Sequence, residues 1–367
     1  MKRFVIVMLL GLCFVQYLIQ PHAYAAQMFS DRQTQGQADM QRTLDGESRM
    51  VLDAISDGED LTQSISRILR QTKQQQRGAI AEAVAALTGA AAVMLLCSCA
   101  EAFSKTSRIS PLILQLAGAL GMTAAVYQTL AGLTSLCRET TEQIQIFSKS
   151  MLPVMTTAIG LSGSPASAAL VYSGTMFALD LCISLITGVY IPAVSAYVAI
   201  LTVNTAIGND MLKRLAACVK WLITGSLRLL LTLFFFYITI SGSVSHGMDA
   251  GTVKAAKFAL NSSVPLVGNI LSGATDSVLA GAVVLKNSLG VFGMLCICAI
   301  CLVPFLRIGV NYLAFKIGAA VLSPICPKLL SGLADGIADS IGMIFGMLGS
   351  CSAILFFELV YSVVMVT

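Results

Sequence analysis

Long apolar runs broken by short polar stretches dominate the chain, and about 20 apolar residues are what one α-helix needs to cross a bilayer. Residues 83–100 and 112–136 meet that length, separated by a basic loop from Lys105 to Arg108. Arg138 to Lys149 is polar and reads as an interfacial stretch, and 151–165, punctuated by Pro153, Gly160, Gly163 and Pro165, reads as a short or re-entrant element. Spans follow at 167–188 and 190–207, then a basic amphipathic connector from Asp210 to Lys220 and the strongly apolar run 221–240. A polar loop is expected over 242–262, an apolar but small-residue-rich segment over 264–284, and clear spans over 289–306 and 308–325. Residues 328–340 are amphipathic and 341–366 form a long apolar helix. The pattern predicts an all-α, polytopic membrane protein with about seven transmembrane helices, give or take one, plus amphipathic or re-entrant elements.

The first residues have a different logic. Lys2 and Arg3 precede the apolar stretch Phe4 to Ile19, and Ala23-Tyr24-Ala25 supplies the small-x-small pattern that signal peptidase reads. This predicts an N-terminal signal peptide over 1–25, cut between Ala25 and Ala26. Residues 26–78 then form a polar extracytoplasmic segment, and 79–367 the multi-pass helical domain. Between Gln27 and Gly78 stand eight acids and seven bases. In its second half Leu61, Ile65, Ile68 and Leu69 fall on one helical face. Glu59 and Asp60 precede that helix and Arg70, Lys73 and Arg77 close it, signs that suit its dipole. Such a helix either docks a partner or lies on lipid headgroups.

Composition narrows the class further. Residues of the AVILMFWYC group make up 56% of the chain and charged residues 11%, against about 25% charged in soluble domains. A nucleic-acid binder with a basic surface is excluded, and a net charge of +4 is too small to point to an anionic partner. Positive-inside counting gives a mixed orientation: with a cleaved leader, Arg67 to Arg77 lie outside, whereas Lys105 and Arg108 lie inside.

Catalytic constellations are missing from the sequence. Two histidines, His22 and His246, are too few for a catalytic zinc site of the usual kind. No Gly-x-x-x-x-Gly-Lys-Ser/Thr loop occurs, and the elbow-like Gly160-Leu161-Ser162-Gly163 has no intramembrane histidine to act as base. Cys298-Ala299-Ile300-Cys301 has a redox spacing but falls in a span with nothing nearby to lower a thiol pKa. The sequence therefore predicts no enzyme, no catalytic residue, no metal and no cofactor.

Ionisable residues inside spans are costly unless paired or wetted, and they carry the functional expectation. Asp180 and Arg228 occupy neighbouring spans and are expected to neutralise each other, as are Lys316 and Glu358. These four form a candidate intramembrane polar network, either a polar path or subunit contact, or simply structural pairing. Lys286 and Arg307 bracket the span 289–306 and read as interface anchors that snorkel. Asp335 and Asp339, four apart, read as a solvated helix face. A faint repeat, Leu271-Ser272-Gly273 with Asp276 against Leu330-Ser331-Gly332 with Asp335, is either a transporter-like duplication or coincidence in a low-alphabet sequence.

Several runs carry a family likeness. They are Val267-Gly268-Asn269-Ile270-Leu271-Ser272-Gly273 through Asp276, Leu285-Lys286-Asn287-Ser288-Leu289-Gly290, Pro304-Phe305-Leu306-Arg307 and Ala319-Ala320-Val321-Leu322-Ser323-Pro324-Ile325. Leu152-Pro153 and the Tyr190-Ile191-Pro192 region add to them. In these the chain resembles the stage III sporulation protein AE family of endospore-forming bacteria, although none of the runs is a catalytic signature. The resemblance implies a non-enzymatic mother-cell membrane subunit of the channel, or feeding and secretion apparatus, that links mother cell to engulfed forespore. Its implied partners are other stage III sporulation membrane proteins, including a ring and an ATPase, besides the lipid bilayer and a second copy of the chain. The rival reading from the residues alone is a stand-alone permease for a small solute or ion.

Overall fold

The computed structural model describes residue 81 and residues 84–101, 111–161, 165–263 and 268–364. The expected leader with its Ala25–Ala26 cleavage point, and the polar segment 26–78, lie outside the described residues. Every described element is helical: α1 (Val84–Glu101), α2 (Pro111–Leu161), α3 (Pro165–Leu185), α4 (Ile191–Ile207), α5 (Asp210–Ser263), α6 (Gly268–Leu322) and α7 (Lys328–Val364). A π turn, Ile186–Tyr190, joins α3 to α4 without interrupting the rod. Its cause is Pro192, which lacks the N–H that an α-turn would aim at the carbonyl of Gly188, so the backbone widens by one residue there.

Among the described residues, six helical segments are long and apolar enough to cross a membrane, counting α3–α4 as one. Several of the joints that polarity suggested lie inside continuous helices, while the expected loop from Lys105 to Arg108 lies outside the described residues. The polar stretch 138–149 and the expected re-entrant element both lie within the 51-residue α2, which carries Pro153 inside it. The connector 210–220 and the whole of the expected loop 242–262 belong to the 54-residue α5. The segments expected at 264–284, 289–306 and 308–325 fall largely in the 55-residue α6, with Pro304 inside it. Polar residues at these joints change what a helix face meets without breaking its hydrogen bonds. The chain breaks where the backbone is made to turn. Gly208 adopts φ 70° and donates its N–H to the Asn204 carbonyl at 2.7 Å, a left-handed stop. Asn209 then caps the next helix, its Oδ1 accepting from the Met211 N–H at 2.9 Å.

Successive helices run antiparallel, and side-chain contacts fix their register. Along α7, Lys220 of α5 stands at Asp339 and Phe235 at Phe357. From α6, Tyr312 stands at Gly342 and Phe305 at Phe345. Cys137 of α2 lies at Ile344, and Cys182 of α3 at Cys351. α7 is the axis of the bundle: it packs on α2, α3, α4, α5 and α6. Ile337, Ile341, Met347, Leu348, Cys351, Ile354, Leu355 and Leu359 along it are completely buried. α1 lies against α2, with Cys97 beside Gly118 and Val93 beside Gly121, where only glycines let the two backbones approach so closely. α2, α5 and α6 would each be about 75–85 Å long at about 1.5 Å per residue, more than twice the thickness of a bilayer core.

Candidate functional site

The first turns of α7 place Asp335 and Asp339 four residues apart, on one helical face. That face turns toward α5 and α6. Lys220 Nζ of α5 donates to Asp339 Oδ2 at 2.6 Å. Lys316 Nζ of α6 donates to Asp335 Oδ1 at 3.2 Å and to Asp339 Oδ1 at 3.4 Å. Asp339 is thus shared by two ammonium groups from two helices, and its side chain is the more buried carboxylate, 25% exposed against 51% for Asp335. Tyr197 of α4 is buried close enough to feel the Asp339 charge. This seam clasps α5 and α6 to α7. Because both lysines keep 43% of their side-chain surface, an external cation or anion could compete for either partner. The expected solvated face of Asp335 and Asp339 is therefore corrected: it is an ion-pair cluster between helices.

The pairs expected from sequence form differently. Asp180 accepts from Gln145 Nε2 of α2 at 3.0 Å, not from Arg228. Tyr190 donates to Ser226 at 2.8 Å, which fixes the register of α4 against α5 and puts Arg228 about two helical turns from the height of Asp180. Lys316 pairs near the start of α7, whereas Glu358 is completely buried some 19 residues further along it, about 30 Å away. Arg307 does not end a span; it sits midway along the apolar stretch Phe292–Leu322 of an unbroken helix, and its carbonyl accepts from Asn311 Nδ2 at 2.8 Å. Lys286 lies on α6 at a position whose side chain is outside the described residues. Sequence reasoning missed Lys220 and Asp339 as a pair; the signal available was a carboxylate couple at i, i+4 on a helix that is otherwise apolar.

Elsewhere the interior is joined by hydroxyls and thiols. Thr123 and Thr202 share a hydrogen bond of 2.8 Å between α2 and α4. Asn311 is buried with its Oδ1 without a partner among the described residues. The sulfurs of Cys182 and Cys351 are 3.4 Å apart in the core. In the turn between α6 and α7, burial pushes the Cys326 thiol above its ordinary value, which leaves it a poor nucleophile. Among the described residues no group of three or more His, Cys, Asp or Glu side chains could hold a metal ion. A cavity lined by Cys97, Glu101, Leu114, Gln115, Pro327 and Leu330 has a volume of about 10 Å³, room for at most one water.

The outer surface is uneven at one height. Trp221, Leu222, Leu229, Leu233 and Phe236 of α5 are exposed, as an acyl-chain environment favours. Level with them on α2, Gln128, Ser135, Arg138, Glu139, Glu142 and Lys149 are exposed, interspersed with the exposed apolar Tyr127 and Ile146. Arg138 Nε and Glu142 Oε1 pair along this face at 3.2 Å.

The family model described as stage III sporulation protein AE matches residues 48–367. A curated stage III sporulation protein AE of Bacillus subtilis (strain 168) is 29% identical over 224 residues. That match covers 60% of this chain and 56% of the relative, little more than half of the relative's length. No solved structure matches.

Proposed function

We propose a function from one premise: the chain belongs to the stage III sporulation protein AE family, and so acts in sporulation as a multi-pass membrane protein. In this reading it is a non-catalytic subunit of the multi-protein channel between mother cell and forespore. It sits in the mother-cell membrane that faces the forespore and assembles with the other stage III membrane proteins, ring and ATPase components among them. The observation that carries the reading is the family match, which runs from Ser48 to Thr367 and so includes both the helical bundle and part of the polar segment before it. The bundle suits a scaffold: α7 is enclosed by five helices, and the cavity beside Cys97 has room for no more than a water. Asp180, reached by Gln145 but exposed, is the intramembrane carboxylate we assign to contact with another subunit. An affinity-tagged chain isolated from sporulating cells should bring down the ring and ATPase proteins, and Asp180→Asn should weaken that recovery. Purification of the chain alone, together with solute transport in reconstituted vesicles, would sink the reading. That outcome would favour the permease alternative, for which the half-exposed Lys220–Asp339–Lys316 seam is the specific support.

A further inference from the structure

We propose that copies of this chain assemble side by side in the membrane, with Arg228 on the outer face of α5 of one copy set against Glu139 and Glu142 on the outer face of α2 of the next, a contact that goes beyond the channel-subunit reading and does not rest on it. Over 221–240 the sequence of α5 holds a single charge, Arg228. It is exposed beside Leu229, two helical turns beyond Trp221, and its guanidinium has no partner among the described residues. An ionised group facing hydrocarbon is costly unless a counter-charge meets it. The outer face of α2 has the opposite imbalance. With the neighbouring turn of α3 it exposes the acids Glu139, Glu142 and Asp180 and the bases Arg138 and Lys149. Arg138 pairs with Glu142 at 3.2 Å and Gln145 donates to Asp180 at 3.0 Å, whereas Glu139 has no partner among the described residues. One acid too many stands on this face and one base too many on α5.

Copies inserted alike in one membrane are related by rotation about its normal, so each residue keeps its height from copy to copy. Arg228 and the acids can meet only if they are level, and the register of each helix on α7 makes them so. Lys220 stands at Asp339 and Phe235 at Phe357, which puts Arg228 at about residue 348 of α7. Cys137 stands at Ile344, and Met151 and Leu359 both lie beside Gly293, so the same height on α2 falls at about residue 141. Glu139 and Glu142 are each within one helical turn of it.

Among the described residues α2 and α5 each pack on α7 rather than on one another, so their outer faces look to different sides of the bundle, as a head-to-tail contact needs. A two-fold contact fits worse. α2 on α2 would set Glu142 at Glu142 and Lys149 at Lys149, and α5 on α5 would set Arg228 at Arg228, like charges at equal height. Small residues on both faces let the backbones come close. On α5 they are Gly225, three residues before Arg228, and Thr232, four after it; on α2 they are Ala131 and Ser135, earlier on the face of Glu142. A would-be Cβ on Gly225 meets nothing nearer than the ring of Trp221, 3.9 Å away on its own helix.

The test uses the full-length chain with two different affinity tags, co-produced in cells that hold no other sporulation proteins and solubilised in mild detergent. Capture through one tag should recover the other. Arg228→Leu removes a charge from an apolar surface, so the amount in membranes should stay within about twofold. Recovery through the second tag should nevertheless fall about tenfold, as the loss of a desolvated charge pair predicts. Undiminished recovery with Arg228→Leu would mean that Arg228 faces lipid, and would overturn the proposal. Arg228→Glu should lower recovery as far, and adding Glu139→Arg to the same chain should restore most of it; an unrestored double variant would overturn the pairing with α2. The arrangement is read separately with Thr232→Cys in one tagged copy and Ile146→Cys in the other, residues level with each other and one turn beyond the charges. Mild oxidation should join the two tags in a product of doubled mass, above the background from the native cysteines alone. Ile146→Cys in both copies should give only that background. A stronger product from Ile146→Cys with itself than from the mixed pair would show a two-fold contact and overturn the head-to-tail arrangement. With no other sporulation protein present, failure here leaves the channel-subunit reading untouched.

Discussion

At one height of the bundle, α5 and α2 present opposite surfaces. The outer side of α5 is a column of large apolar residues, Trp221, Leu222, Leu229, Leu233 and Phe236, interrupted by Arg228 and Thr232. The outer side of α2 is a column of Gln128, Ser135, Arg138, Glu139, Glu142 and Lys149. Both helices pack on α7 through buried apolar residues, Leu227, Leu230 and Phe234 from one and Ile144, Phe147 and Met151 from the other. Inner faces alone would make the two helices equivalent. The difference lies in what each exposes: mostly large apolar side chains from α5, and charged and amide side chains beside Tyr127 and Ile146 from α2.

The sharpest way to break this contrast is to exchange the surfaces. Leu233→Arg should cost about 2.5–3.5 kcal/mol of insertion free energy and deplete the protein from membranes, whereas Ser135→Arg on α2 should leave the membrane-extracted amount within about twofold. Quantitative blotting of membrane fractions reads both, and equal losses would show that α2 also faces lipid. A smaller effect tests the seam that holds α5 to the bundle. Asp339→Asn removes the carboxylate shared by Lys220 and Lys316. Because these groups are partly solvated, it should cost about 1 kcal/mol, a fall of a few degrees in the melting temperature of the solubilised protein. The smallest effect belongs to α2. Arg138→Ala breaks only an exposed i, i+4 pair and should change stability by about 0.3–0.5 kcal/mol, near the limit of a thermal-shift measurement.

Much of this architecture is legible in the sequence. The all-helical membrane class follows from apolar runs such as 221–240 and 341–366, and the helix ends at 207–210 and 322–328 follow from Gly208, Asn209, Pro324 and Pro327. What misleads is the assumption that polarity marks a boundary. Arg138 to Lys149 reads as an interfacial stretch because it is polar, yet polar side chains on one face leave the helix hydrogen bonds of α2 intact and the same residues continue it. The misassigned charge pairs have a related origin. Whether Arg228 can reach Asp180 depends on the number of turns between each residue and the connection at 208–209, and the π turn before Ile191 adds to that count. Asp335 and Asp339 look solvated because their partners, Lys220 and Lys316, come from helices 119 and 19 residues earlier, a separation that no periodicity within α7 reports.

The position of α7 in the chain also sets an order of events. It is the axis on which α2 to α6 pack, yet it follows all of them in sequence. At synthesis rates of about 5–20 residues per second, α2 leaves the ribosome on the order of ten seconds or more before the last turn of α7 does. Through that interval the faces carrying Phe147, Cys182 and Ile223 have only lipid, one another or a chaperoning insertase to meet. Helices α2 to α6 can pack on one another in that interval, but the step that closes the bundle around its axis comes last, and a ribosome stalled before Lys328 leaves them without that axis.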